Sequence, residues 1–179
     1  MNTRKRLMGK PSSTFCVALR LGLAMGMIGL GQASYAATAT GTMTVTATVS
    51  STCVVGASSL AFSSATSAAI AAGNVDATGT VTVNCTTGSP YTISLDAGTG
   101  TGATVATRKM SSGAQLLSYS VYTTAARTTV WGDGTASSGT VTGTGSGTSQ
   151  SISAYGRIFA GQVVTAATYS DTINVTVTY

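Results

Sequence analysis

The sequence predicts an all-β domain, an antiparallel β-sandwich of Greek-key type. Apolar and hydroxyl side chains alternate with a period of two through several stretches of the chain, as in strands that bury one face. Glycine-rich segments, in which a positive φ has no steric cost, separate these stretches. Many short strands with glycine-rich turns and a single candidate disulfide are typical of an exported sandwich.

The first 36 residues have the three parts of a secretory signal peptide. Residues 1–20 carry five of the nine basic side chains, Leu21 to Leu30 form an uncharged apolar run, and Ser34-Tyr35-Ala36 forms a small-x-small cleavage site. Ten helical residues extend only about 15 Å, whereas a membrane span needs about 20 residues. We therefore expect cleavage after Ala36 and export through the inner membrane.

Two cysteines remain in the mature chain after Cys16 leaves with the leader. Cys53 and Cys85 can pair in only one way in an oxidising compartment. Their sequence separation predicts a disulfide that stabilises the fold by roughly 3–4 kcal/mol. The spacing does not fit a redox-active CxxC pair, so we expect a structural disulfide and a location in the periplasm or at the cell surface.

The mature chain begins with the most regular alternation in the sequence, at residues 42–49. The same period-two pattern predicts five further strands, at residues 79–85, 91–95, 117–122, 151–155 and 172–179. Turns are expected in the glycine clusters at 98–102, 132–134 and 139–147, and a short helix in 65–72.

The stretch at 42–49 lies directly behind the leader and before the first remaining cysteine. Terminal segments of this kind are usually frayed unless something holds them. One interpretation is that it forms an edge strand of its own domain. The other is that it inserts into a second copy and completes the sheet of that copy by β-strand addition. Composition alone does not decide between the two interpretations.

Charge and residue usage exclude several function classes. The chain has nine Lys and Arg, four Asp and Glu and no His, and after residue 36 four basic side chains balance four acidic ones. A neutral body with one adjacent basic pair, Arg108 and Lys109, gives no surface for tracking phosphates, so we exclude nucleic acid as a partner. Without His, and with only scattered Asp carboxylates, we expect no catalytic residues, no metal and no cofactor.

Three short motifs have weak functional interpretations. Gly98–Ala103 has the form of a dinucleotide fingerprint, but neither a helical pattern nor a suitably spaced acidic residue follows it. The glycines around Ser146 do not have the spacing of a nucleophile elbow. Trp131 lies near Arg127 and is a candidate for stacking on a sugar, although a lone Trp at a strand end more often covers the core.

Several segments of the mature chain, taken in order, form a recognisable set. They are Cys53 soon after the alternating stretch, Val81–Cys85, Leu117–Tyr122, Tyr155–Ile158 and Tyr169–Tyr179. Together they resemble the spore coat protein U domain family, which includes the major subunits of archaic chaperone–usher pili of Gram-negative bacteria. The resemblance extends over essentially all of residues 37–179.

The resemblance implies an incomplete immunoglobulin-like Greek-key sandwich that lacks its final strand and is completed by donor-strand exchange. Residues 37–50 would be the donor extension and residues 51–179 the pilin-like domain. The donor side chains would be Met43, Val45, Ala47 and Val49. The side chains of the acceptor groove, which would also contact the chaperone, would be Ile173, Val175, Val177 and Tyr179.

The function that the resemblance implies is that of a secreted, non-enzymatic pilus subunit. Its partners would be identical subunits in a homopolymer, related minor subunits, a periplasmic chaperone and an outer-membrane usher. The fibre would lie on the surface of a Gram-negative cell and serve adhesion and biofilm formation. Two alternatives remain open, a sugar-binding adhesin that uses Trp131 and a non-pilus outer coat protein of the same fold.

Overall fold

The structure of the protein is a computed structural model that describes residues 35–179 except Ala57. The chain divides into two compact units, Met1–Val45 and Thr46–Tyr179. The predicted signal peptide, residues 1–36, lies outside the described residues apart from its last two. No helix in the described part of the chain is long and apolar enough to cross a membrane.

The predicted strand at 42–49 does not form within this chain. No regular secondary structure is present in residues 35–52, and all of these residues are exposed. The side chains of Met43, Val45 and Val49 are 85%, 78% and 90% exposed. The interpretation of this stretch as an edge strand of its own domain is therefore wrong, because a strand needs a ladder partner for its N–H and C=O groups.

The second unit is a sandwich of two antiparallel sheets, which confirms the predicted all-β fold class. The larger sheet has the order β1-β2-β7-β5-β4 and the smaller one has the order β6-β3-β8. In chain order the elements are β1 (Cys53–Val55), α1 (Ser67–Ala72), β2 (Val75–Cys85), β3 (Pro90–Leu95), β4 (Arg108–Ser112), β5 (Gln115–Tyr122), β6 (Val141–Thr144), β7 (Ser149–Ile158) and β8 (Val175–Thr178).

The longest pairing in the molecule joins β2 to β7, from Val75 opposite Ile158 to Asn84 opposite Ser149. Because β7 returns between β2 and β5, consecutive strands are not neighbours, as in a Greek key. The predicted alternation holds in β2, where inward side chains are buried and outward ones are exposed or half-buried. The core between the sheets includes Val81, Val83, Tyr91, Ile93, Leu95, Leu117, Tyr119, Val121 and Ile158.

One predicted turn segment contains a strand. Residues 139–147 were expected to be turns because of their glycines, but β6 occupies the middle of this range. Gly143 lies against the ring of Tyr91, and a Cβ at this position would be 2.5 Å from the Tyr91 Cζ and Oη atoms. The glycine is therefore required for close packing within a strand. The last strand, β8, is shorter than the predicted 172–179.

Trp131 is fully buried, and its Nε1 donates a hydrogen bond to the Ile93 carbonyl at 3.0 Å. Arg108 is also fully buried and donates to the carbonyls of Asp96 and Trp131, both at 2.8 Å. No face of the indole is accessible to a ligand. The expectation that Trp131 contacts a glycan is therefore wrong, and its role is to fill the core.

The Tyr155-Gly-Arg segment has two structural roles. The Nε and Nη2 atoms of Arg157 donate to the carboxylate of Asp76 at 2.7 and 2.9 Å. This bond lowers the pKa of Asp76 below its usual range, although partial burial opposes the shift. Gly156 leaves room for another part of the chain, because a Cβ there would lie 2.7 Å from both Leu60 Cδ2 and Phe62 Cζ.

Cys53 and Cys85 form the predicted disulfide. The two residues are directly opposite each other in the β1–β2 ladder, so the bond joins the first residue of β1 to the last residue of β2. Thr52, the residue before Cys53, is also attached next to the end of β2. The Thr52 N–H donates to Thr86 Oγ1 at 3.0 Å, and the Thr86 N–H donates to the Thr52 carbonyl at 2.9 Å.

Replacing both Cys53 and Cys85 with alanine is expected to lower the free energy of unfolding by roughly 3–4 kcal/mol, because the disulfide restricts the unfolded chain. Urea unfolding followed by the fluorescence of Trp131 measures the change. Val54→Ala is the control, since Val54 is 64% exposed in the same strand and its truncation should cost about 0.5 kcal/mol or less. Equal unfolding midpoints for the double variant and the control would contradict the expectation.

Candidate functional site

An open cavity of about 830 Å³ lies between the two sheets. We call it the groove. Its floor consists of apolar core side chains, contributed mainly by the larger sheet. They include Val81 of β2, Leu117, Tyr119 and Val121 of β5, and Ala154 and Ile158 of β7. The groove therefore exposes part of the hydrophobic core that a complete sandwich would cover.

The first wall of the groove is the segment between β1 and α1. It begins at Ser59, which exchanges backbone hydrogen bonds of 3.1 and 3.3 Å with Thr80 of β2. Leu60 and Phe62 then pack against the core, and the Phe62 ring meets the edge of the Tyr119 ring at 6.2 Å between centroids. Beyond Ser59, no strand of the described chain pairs with this wall.

The second wall is the segment that leads into β8 and includes the start of that strand. Ile173 and Val175 line the groove. Val177 is half-buried against the core but is not part of the groove lining, and Tyr179 is 55% exposed. Two of the four predicted acceptor side chains therefore lie in the groove and a third lies beside it.

The outer edge of β8 has no partner among the strands that the structure describes. β8 pairs with β3 on one side, with Val177 opposite Ile93, and no described strand pairs with its other side. Cα atoms of β1 and β8 approach within 8 Å of each other, but the two strands are not hydrogen-bonded. An apolar floor between two walls with free backbone groups is the geometry that receives an added β-strand.

Tyr119 and Asp171 hold the second wall to the floor. The Tyr119 hydroxyl donates to Asp171 Oδ2 at 2.7 Å, and the Thr99 N–H donates to Asp171 Oδ1 at 2.8 Å. Burial raises the pKa of Tyr119 far above its ordinary value, and the bond to Asp171 raises it further, so the hydroxyl stays protonated. Since the Tyr119 ring also meets Phe62, the three side chains span the groove from wall to wall.

Asp96 fixes the residue that precedes β8. Its Oδ1 accepts hydrogen bonds from the Asn174 N–H and the Gly98 N–H, both at 2.9 Å. Burial of Asp96 opposes ionisation, but these hydrogen bonds and the nearby Arg108 outweigh it, so the pKa of Asp96 lies below the ordinary value of 3.8. The ionised carboxylate thus helps to position the groove wall.

The predicted donor side chains Met43, Val45, Ala47 and Val49 are all exposed. Their role as donors stays a prediction. The groove itself offers apolar surface, hydroxyl side chains and one carboxylate, Asp171. Throughout the described part of the chain, no three His, Cys, Asp or Glu side chains lie together in a way that could hold a metal ion.

The sequence interpretation missed several residues of the groove, namely Leu60, Phe62, Val164 and Tyr169. Leu60 and Phe62 are separated by one residue, which is only a short period-two signal, and serines flank the segment on both sides. Gly156, which leaves space for both side chains, was noticed only as part of the family resemblance. None of these signals was strong enough to predict a wall.

A family model of the Spore Coat Protein U domain matches residues 39–176. The chain belongs to the spore coat protein U domain family. The match confirms the resemblance that the sequence segments indicated, and it covers both the alternating stretch at 42–49 and the start of β8. No curated protein is significantly similar in sequence to this spore coat protein U domain.

Thirteen chains of solved structures are similar to this spore coat protein U domain. One belongs to the pre-assembly complex of the chaperone CsuC and the tip adhesion subunit CsuE, from archaic chaperone–usher Csu pili of Acinetobacter baumannii. The TM-score is 0.52 at 22% sequence identity, over 74% of this chain and 40% of that chain. The present chain thus spans less than half of its counterpart, and the likeness concerns the fold.

Asp96→Asn is expected to weaken the attachment of Asn174 above pH 5 and to have little effect once the pH has fallen below the lowered folded-state pKa of Asp96. The contribution of Asp96 to stability is complete above its unfolded-state pKa, and it is lost as the pH falls below 3.8 through the depressed folded-state value. Hydrogen exchange of the β8 amides at several pH values measures the effect.

Asp133→Asn is the matched control for this experiment. The hydrogen bonds of Thr135 also lower the pKa of the Asp133 carboxyl, but this residue lies in an exposed turn that does not line the groove. In Asp133→Asn, the rate of hydrogen exchange of the β8 amides should match that of the wild type at every pH. If both variants changed β8 exchange equally, Asp96 would have no special role at this wall.

Proposed function

We propose that this protein is a secreted, non-enzymatic structural subunit that polymerises head to tail into surface fibres. Each subunit would place its N-terminal extension, residues 37–50, in the groove of its neighbour. The side chains Met43, Val45, Ala47 and Val49 would face the core, and the intervening threonines would face solvent. The observation that carries the proposal is the open groove beside the unpaired edge of β8.

The extension and the groove have complementary chemistry on the same chain. The extension alternates apolar and hydroxyl side chains and is fully exposed. The groove needs a strand with one apolar face and free backbone groups on both edges. Because donor and acceptor are different surfaces of one molecule, the contact is heterologous and propagates without closing. This favours a linear polymer over a dimer.

Simple energetics agree with a stable joint. Each fully buried Met or Val side chain contributes about 1.5–3 kcal/mol, and each net ladder hydrogen bond contributes about 1 kcal/mol. Three large apolar side chains and several hydrogen bonds along β8 would therefore give a long-lived contact. The fibre would be held by the interactions that hold the sandwich itself.

The proposed assembly includes a periplasmic chaperone and an outer-membrane usher. An exposed apolar groove next to an unpaired strand edge promotes aggregation until it is filled. A partner that covers β8 and Ile173 during export would prevent this. The solved complex with a similar chain pairs a chaperone with a pilus subunit, which supports a chaperone partner for this protein as well.

We further propose that the fibre lies on the surface of a Gram-negative cell and serves adhesion and biofilm formation. The disulfide is consistent with folding in an oxidising compartment. The sugar-binding alternative loses its motivating observation because Trp131 is buried. A non-pilus coat protein would share the fold and differ in its partners. Electron microscopy of the exported material therefore distinguishes a coat protein from a pilus subunit.

Val45→Asp is expected to abolish fibre formation, because an unpaired carboxylate buried in an apolar groove costs several kcal/mol. Thr46→Asp is the matched control and should leave fibres intact, since the neighbouring side chain faces solvent in the donor strand. Electron microscopy of cells that express the subunit with its chaperone and usher measures the outcome. Deletion of residues 37–49 should give the same result as Val45→Asp.

The acceptor side is tested in the same cells. Ile173→Asp should also abolish fibres, because Ile173 lines the groove. Normal fibres from the deletion variant would refute donor-strand exchange, and loss of fibres from Thr46→Asp alone would refute the assigned orientation of the strand. Disordered exported material without fibres in the wild type would favour a coat protein.

A further inference from the structure

A connection without regular secondary structure runs along the groove between β7 and β8. We call its central part, Val163–Tyr169, the strap. Residues Val164 to Tyr169 line the groove. Val164 and Tyr169 are half-buried and pack against the core, whereas Val163 is 95% exposed. The strap thus covers part of the apolar floor with two side chains and exposes the rest of its length.

Both ends of the strap are attached to adjacent residues of β5. The side chain of Gln162 accepts a hydrogen bond from the Ser118 N–H at 2.7 Å and donates to the Ser118 carbonyl at 2.9 Å. At the other end, Asp171 accepts from the Tyr119 hydroxyl at 2.7 Å, and Ser170 exchanges backbone hydrogen bonds with Ser111 of β4. The two ends are therefore fixed to the floor of the groove.

Between these attachments, the strap has no backbone hydrogen bond to the sandwich within the described part of the chain. Within the strap, the Tyr169 hydroxyl donates to the Thr165 carbonyl at 3.1 Å and lies 3.5 Å from the Thr165 hydroxyl. Segments with few buried contacts and free backbone groups open at low free energy. Long connections without secondary structure in a compact domain are commonly functional loops. The strap is thus a wall of the groove that can move while the sheets stay in place.

We propose that the strap is a gate that controls admission of the donor strand to the groove. Val164 and Tyr169 line the groove and pack against the core, so they cover apolar floor that the inward-facing donor side chains would otherwise contact. Insertion of the donor therefore requires the strap to swing away from the floor. The inference rests on the proposed function, since it concerns how the same groove is filled.

The attachments at Gln162 and Asp171 set how often the gate opens. If the groove can bind only while the gate is open, its apparent affinity for the donor equals the intrinsic affinity multiplied by the open fraction. Loss of one or two net hydrogen bonds at Gln162 should raise the open fraction about fivefold to thirtyfold. The association rate of a donor peptide should rise by the same factor, because opening precedes insertion.

The first test measures gate movement directly. Val164→Cys and Val163→Cys are made in the exported full chain, and each thiol is labelled with a maleimide with and without a synthetic peptide of residues 37–50. We expect bound peptide to hold the strap open and to speed the labelling of Val164→Cys about tenfold. The rate should then approach that of Val163→Cys, whose side chain is already exposed. Labelling of Val163→Cys should not change. Slower or unchanged labelling of Val164→Cys with bound peptide would overturn the gate.

The second test measures the attachment. Gln162→Ala should increase the association rate of the same peptide about fivefold to thirtyfold, and Gln150→Ala is the matched control. Gln150 makes one hydrogen bond, to the Thr144 carbonyl, and does not line the groove. Tyr119→Phe, which keeps the ring but removes the bond to Asp171, provides a second variant if Gln162→Ala does not fold. Equal association rates for the folded variants and the control would also overturn the gate.

The outcomes separate the gate from the proposed function. Suppose that the wild-type chain binds the peptide, but the peptide does not change the labelling of Val164→Cys, and Gln162→Ala associates with it as fast as Gln150→Ala does. The strap is then a fixed wall, and the proposed function stands. If the wild-type chain does not bind the peptide at all, donor-strand exchange fails and the gate fails with it.

Discussion

The unpaired outer edge of β8 is the constraint on which the rest of the structure depends. A central strand uses both edges for hydrogen bonds, and β8 uses only the edge that faces β3. The gap beside it opens the groove and leaves Ile173 and Val175 only half-buried. A hydrophobic core that is open to water on one side is stable only if the remaining sides are closed well.

Polar anchors close those remaining sides. Arg108 is buried without a carboxylate partner and instead connects the carbonyls of Leu95, Asp96 and Trp131, so one guanidinium holds the end of β3 and the strand-end Trp131 together. The Asp96 carboxylate in turn accepts a hydrogen bond from the Asn174 N–H. The bonds to the Asp96 and Trp131 carbonyls and the bond from Asn174 to Asp96 are 2.8–2.9 Å long, and they help the domain to keep its shape around an open groove.

Much of the fold could be predicted from the sequence, because alternation is strong wherever a strand buries one face. The long strands β2, β5 and β7 were placed correctly apart from their ends, and the disulfide followed from having only two mature cysteines. Sequence reasoning failed for β4, whose first residue is the buried Arg108, because charge usually indicates a surface. It failed for β6 because Gly143 in a strand has the same signature as Gly in a turn.

The candidate site was predictable only in part. The terminal alternation that ends in β8 has a clear period, so two residues that line the groove, Ile173 and Val175, were among those predicted. The opposite wall and the strap have no period, because their side chains reach the core from irregular backbone. Trp131 was misjudged since a lone aromatic residue has no pattern that distinguishes burial from exposure. Where neither periodicity nor composition reports burial, coordinates are needed.

The double attachment at the root of the extension has a mechanical consequence. If the proposed fibre is stretched, tension would enter each domain at Thr52 and Cys53. The covalent link to Cys85 and the bonds to Thr86 pass that tension directly into β2, the longest strand of the domain. The three-residue strand β1 would therefore not be pulled away from β2. A pulled filament would therefore yield between subunits, where only noncovalent contacts carry the load, before any single domain unravels from its amino-terminal end.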